Sequence, residues 1–172
     1  MTQSDTSEKP AVTQPLRYPM MKVMMASEPI APGAFAQILA AHHRFIQSGG
    51  GGGRWATFST SSDSAIGLVL GIYIDRPPGG QEGKQADLSH QRLDGLDLAG
   101  VSLPYANLCG VSCAGQDLSG AVLIGSLLVD SDFSESSFRG AQLMAADLSR
   151  CDLSRCDLRE ADLTAPTWSM SI

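Results

Sequence analysis

From Leu88 the sequence repeats an apolar residue every five positions without a slip in frame. The series runs Leu88, Leu93, Leu98, Leu103, Leu108, Cys113, Leu118, Leu123, Leu128, Phe133, Phe138, Leu143, Leu148, Leu153, Leu158 and Leu163, and Trp168 falls in phase after it. At the apolar frequency of this chain such a run would arise by chance about once in a million. A period of five matches neither the 3.6 of an α-helix nor the 2.0 of a strand, so neither element keeps these side chains on one side. A chain that bends after every fifth residue does keep them inside, as one continuous core stack.

The positions around the stack follow the same beat. Two residues earlier the side chain is small in most units, as at Ala86, Ala106, Ala121, Ala141, Ala146, Ala161, Ser126, Ser131, Ser136, Cys151 and Cys156. Between the two inward positions lies a polar residue, often Asp: Asp87, Asp97, Asp117, Asp147, Asp152, Asp157 and Asp162. Gly closes many units, where a sharp bend crowds the backbone.

ADLSH (86–90), ANLCG (106–110), ADLSR (146–150), CDLSR (151–155) and ADLTA (161–165) make the region resemble the pentapeptide-repeat family, whose pattern is A(D/N)LXX. The resemblance covers about half the chain. It implies a mainly β protein, a right-handed quadrilateral β-helix with four units per coil and hence about four coils. With hydrogen-bonded strands ~4.8 Å apart the column would be ~19 Å tall, and both ends would need cover for their unpaired backbone groups.

Residues twenty apart then share a face. The second and third faces mix acids with Arg92, Arg139, Arg155 and Arg159. The fourth is apolar outside, at Pro104, Tyr105, Val122, Ile124 and Met144, and the first adds Leu127, Val129 and Cys109 beside it. Val122 and Leu127 stand in the slot where the family prefers Asp or Asn. Such a stripe marks a contact surface. Three occupants stay open: this chain's own N-terminal segment, a second copy in a homodimer, or a foreign protein partner.

Upstream, residues 1–15 read as a disordered tail and 16–85 as a capping segment of one amphipathic helix plus a β-hairpin. The repeat domain spans 86–168, and 169–172 form a C-terminal tail. Pro32 opens the helix, whose apolar face is Phe35, Ile38, Leu39, His42, Phe45 and Ile46 and whose stop is Gly49. ILAAHHRFIQSGG (38–50) resembles the helix that precedes the repeats in many family members. RWATFST (54–60) and AIGLVLGIYI (65–74) predict the two strands, with SSDS (61–64) as turn. The second strand is apolar on both sides and should be covered on both. The Met-rich LRYPMMKVMMA (16–26) reads as gap-filling core rather than a copper site.

Catalytic and cofactor chemistry finds no footing. His42 and His43 are adjacent on a helix and point ~100° apart, so they cannot share one ion. His42 reads as a structural histidine. Cys109 and Cys113 face opposite ways, and Cys151 and Cys156 behave as small hydrophobes. GGGGGR (49–54) lacks the GK[ST] of a phosphate loop and reads as a flexible connector. No enzyme, cofactor or metal is expected.

Residues 86–172 carry twelve acidic and five basic side chains, against six and seven in 1–85. That balance disfavours direct nucleic-acid binding. The polar start lacks the parts of a signal peptide and no apolar run reaches membrane-spanning length, so a cytoplasmic location without membrane contact is expected. The main expectation is a rigid module that binds a protein partner or itself. The alternative comes from the family resemblance alone: a DNA mimic that binds a type II topoisomerase, DNA gyrase, and protects it from inhibitors.

Overall fold

The computed structural model describes residues 28–59, 69–74 and 82–166. Helix α1 spans Pro32–Gln47. Strands β1 (Arg54–Ser59) and β2 (Val69–Ile74) follow as an antiparallel pair. From 86 onward the chain winds through bends and single bridged residues. The expectations for 1–27, for the turn 61–64, for Trp168 and for the C-terminal tail lie outside the described residues.

The winding has a twenty-residue repeat. Parallel bridges join Asp87 to Asn107, Asn107 to Leu127 and Leu127 to Asp147, and the same step recurs from Arg92, Ser102 and Asp117. Each bridge is double: Leu88 N–H donates to Asn107 O at 2.8 Å, and Asn107 N–H donates back to Ala86 O at 3.0 Å. Backbone groups of one revolution are thereby satisfied by the next, which lets a chain without long strands bury its core.

The bends are five-residue turns of one kind. In most units the carbonyl of the inward Leu or Phe accepts from the N–H three residues on, as in Gln91 N–H to Leu88 O at 3.1 Å and Ala121 N–H to Leu118 O at 3.0 Å. Every fifth residue from His90 to Ala165 has positive φ, between 52° and 76°. A positive φ at the third turn position is the signature of a type II turn and explains the frequent glycines.

All members of the five-step stack from Leu88 to Leu148 are buried, and Leu153, Leu158 and Leu163 are half-buried in the last revolution. Phe133 and Phe138 meet edge to face at 5.2 Å between ring centres. The inward serines carry their own compensation. Ser126, Ser131 and Ser136 donate Oγ–H to the carbonyls of Leu103, Leu108 and Cys113 at 2.7–2.8 Å. Cys151 and Cys156 direct Sγ at Leu128 O and Phe133 O in the same way.

Helix α1 starts at Pro32, whose missing N–H costs nothing in a first turn, and closes with Ser48 N–H on Arg44 O before Gly49 at φ 86°. Phe35, His42 and Phe45 are its buried residues. Phe35, Ile38 and Leu39 pack into the same cluster as Leu88, Leu93 and Leu98. Backbone bonds hold the helix there: Ile30 N–H to Arg92 O and Lys84 N–H to Ala41 O, both 3.0 Å.

Two expectations need correction. GGGGGR is no slack connector, because its glycines let three aromatic rings approach the backbone. A Cβ on Gly50 would overlap the Phe45 ring, one on Gly51 would stand 2.8 Å from the Tyr105 ring, and one on Gly53 2.6 Å from that of Tyr73. Nor is β2 covered on both sides, since Ile72 is 53% exposed.

Candidate interaction surface

The outward Asp positions have a local task. Asp87, Asp117, Asp132, Asp147, Asp152, Asp157 and Asp162 each accept, through Oδ1, the N–H two residues on, at 2.9–3.1 Å. Asn107 does the same for Cys109 N–H. These Asx turns brace the bends where they occur and account for those carboxylates without a catalytic pair. The periodicity shows where they recur; their tie to the turn is visible only in the fold. A nonpolar residue in this slot therefore gives up a turn bond.

Val122 and Leu127 are two such residues, and their fates differ. Leu127 is 0% and Val129 2% exposed, clustered with Cys109 beneath Trp55 of β1. A Cβ on Gly71 of β2 would collide with Leu127 Cδ2, so the glycine is what lets the hairpin sit this close. Trp55 packs on Tyr73 at 5.1 Å between ring centres, and Tyr73 on Tyr105 at 6.3 Å. Leu127 and Val129 therefore drop out of the display surface, because the hairpin of the same chain occupies them. The signal was present in Gly71, a glycine within a strand pattern that marks close backbone approach.

Among the described residues the fourth face is covered only at Tyr105, where Tyr73 of β2 packs. Met144 is 40% exposed, and Pro104, Tyr105, Val122 and Ile124 are half-buried. Ser102, Val122, Gln142 and Asp162 stack on it by parallel bridges. The Tyr105 ring lies over Gly125, 2.7 Å from where a Cβ would stand.

His42 is 1% exposed, and its Nδ1 accepts the N–H of Ala86 at 3.0 Å. Burial pushes its pKa down, with the Pro104 backbone pulling the other way. It joins α1 to the first repeat unit. Burial pushes the Cys109, Cys113 and Cys151 thiols up to about 12, away from nucleophilic use, and raises Cys156 as well. Among the described residues no three of His, Cys, Asp and Glu gather as metal ligands, and no helix is long and apolar enough to cross a membrane. An open depression between α1 and the first revolution is lined by Leu39, Ala40, His43, Arg44, Val101 and Ser102.

Four ion pairs tie arginines of the last two revolutions to neighbouring acids. They are Arg139–Glu160, Arg150–Asp130, Arg155–Glu135 and Arg159–Asp157, at 2.6–2.9 Å. Arg159 holds the Asp157 carboxyl down at about 2.

Twenty-residue parallel bridges and a positive φ at every fifth residue define this region as a β-helix of five-residue units. The Pentapeptide repeats family profile matches residues 117–153 and 141–165, with eight copies. Residues 117–165, under a third of the chain, are thus pentapeptide repeats. The chain's shape is similar to a pentapeptide repeat protein from Nostoc Pcc 7120 (21% identity, 51% of this chain and 86% of that one, TM-score 0.45). It is also similar to one from the cyanobacterium Cyanothece 51142 (25%, 54% and 71%, 0.38) and to one from the Arabidopsis thaliana thylakoid lumen (23%, 52% and 59%, 0.40). With TM-scores below 0.5, the assignment rests on the repeats rather than on these likenesses. Comparison with curated proteins found no match.

Proposed function

We propose that this chain is a non-catalytic interaction module. In this reading residues 86–168 form a right-handed quadrilateral β-helix of about four coils, and α1 with the hairpin caps its N-terminal end. The fourth face, through Pro104, Tyr105, Val122, Ile124 and Met144, is offered to a protein partner. One observation carries the reading: Val122 gives up the braced turn that Asp supplies elsewhere, yet among the described residues it is not sealed by the hairpin as Leu127 is. An apolar side chain that costs a turn bond and stays partly in water has a use outside the fold.

Burial of the core stack makes the face rigid, so a partner meets a preformed surface and little ordering entropy is lost on binding. At ~19 Å tall the face fits one strand or a short helix of a partner better than the ~800 Å² per side of a standard dimer seam. The cytoplasm is the proposed location. The test compares wild type with the Ile124→Glu/Met144→Glu pair by light scattering and by recovery of bound protein from native lysate. Loss of a specific partner, or of a dimer, in the variant alone supports the surface; identical recovery and mass would sink it.

The DNA-mimic reading has one supporting observation, the excess of twelve acids over five bases in residues 86–172. Its weakness is that all five of those bases are spent in ion pairs that break the acid faces into short dipoles. Gyrase supercoiling assayed with a quinolone decides it: added protein that leaves inhibition unchanged removes this alternative.

A further inference from the structure

We infer that the β1–β2 hairpin is a displaceable strap that keeps a second apolar patch, Leu127, Val129 and Cys109, closed until it lifts. The inference deepens the reading of the fourth face. Leu127 lies just around the corner Gly125–Ser126 from Ile124, so lifting the strap would join the two apolar areas into one surface.

Several observations point the same way. Leu127 and Val129 are outward residues of the column, not members of its core; they form a cluster of their own with Cys109, separate from the five-step stack. Losing their cover would leave the stack from Leu88 to Leu148 intact. The cover itself is a two-stranded ribbon, an arrangement that is marginal in water without packing. Its grip is aromatic, through Trp55 on the patch and Tyr73 on Tyr105. Closure also has a built-in cost, since Trp55 Nε1 is buried with no hydrogen-bond partner among the described residues. On the helix side the ribbon is joined through consecutive glycines, with Gly49 at φ 86° and Gly52 at φ 88°, positions that can absorb a hinge rotation. α1 is held differently, by backbone hydrogen bonds to the first revolution. An element held by side chains, with a hinge and an unsatisfied donor, belongs to the low-stability end of a native structure.

Cys109 reports the strap directly. It is fully covered in the closed form, as is Cys113 within the column, and burial holds both thiols at about 12, so neither reacts until it is exposed. The experiment treats the full-length protein with iodoacetamide in low concentrations of urea and reads each cysteine by peptide mass spectrometry. The expected result is that Cys109 is modified faster than Cys113 and with a weaker urea dependence, the mark of local rather than global opening. Trp55→Ala should speed Cys109 modification by roughly tenfold or more while leaving Cys113 unchanged. Gly71→Ala, whose new methyl would strike Leu127, should act the same way and serves if Trp55→Ala does not fold. Cys109 and Cys113 reacting at one rate, with the urea dependence of global unfolding, would overturn the strap. Either outcome stands apart from the fourth-face test, because labelling needs no partner.

Discussion

Nine of the residues that hold positive φ at the fifth position of a unit are not glycine, among them Tyr105, Ala145, Arg150 and Ala165. A side chain there carries a local cost that the ladder around it outweighs. Ala145 at φ 56° is exposed, so Ala145→Gly should raise stability by up to about 1 kcal/mol, strain relief outweighing the added freedom of the unfolded chain. Gly120 at φ 68° has open space around it, and Gly120→Ala should cost about 1 kcal/mol from conformation alone. Urea midpoints check the pair; shifts in the same direction would contradict the turn assignment. Ser131 is buried, donating to Leu108 O and accepting from Val111 N–H at 3.3 Å, so Ser131→Ala should cost about 1–2 kcal/mol in the same assay. His42 adds a pH dependence. Its folded pKa lies below the unfolded value of 6.5, so the unfolded chain takes up the proton first. Stability is therefore full above pH 6.5 and falls as pH drops through the window between 6.5 and the folded value. His42→Gln should flatten that slope, seen in urea midpoints across pH; an unchanged slope would show that other groups set it.

At the scale of elements, the helix and the hairpin meet the column in different ways. α1 adds Phe35, Ile38 and Leu39 to the core cluster. Phe45 is 1% exposed, with Gly50 leaving room for its ring and His42 stacked at 5.9 Å. Phe45→Ala should cost about 3–5 kcal/mol, read from thermal unfolding; a loss below ~1 kcal/mol would mean that the helix folds apart from the repeats. The helix was legible because its 3.6 period and its Pro and Gly punctuation are local. The strands were legible in kind, with 65–68 of the second outside the described residues, and the covered side of β2 is the one bearing Gly71 and Tyr73. Which side a two-sided apolar strand buries depends on what lies beneath it. The pairing of Thr57 with Gly71 and of Trp55 with Tyr73 decides that here.

For the whole molecule, local repetition does what distant contacts do in most β proteins. Each revolution lies on the next through residues only twenty apart, so the core is countable from spacing alone: every five-step residue from Leu88 to Leu148 is buried. The turns were legible for the same reason, since a fixed period with glycine at the bend leaves few backbone solutions. The outer surface was not. Val122 and Leu127 are alike in sequence, both apolar where the repeat prefers Asp, yet one stays partly exposed and the other is sealed. The pentaglycine run looked like slack for a related reason. A missing Cβ is silent about whether it serves freedom or close approach, and two of the three rings, Tyr105 and Tyr73, come from distant parts of the chain. Spacing along the chain was enough to assign the inward side, because five-residue steps and short-range hydrogen bonds leave the stacked side chains no other place to go. Only tertiary structure decided the outward side, because cover by the hairpin depends on docking between segments tens of residues apart, where no period constrains the answer.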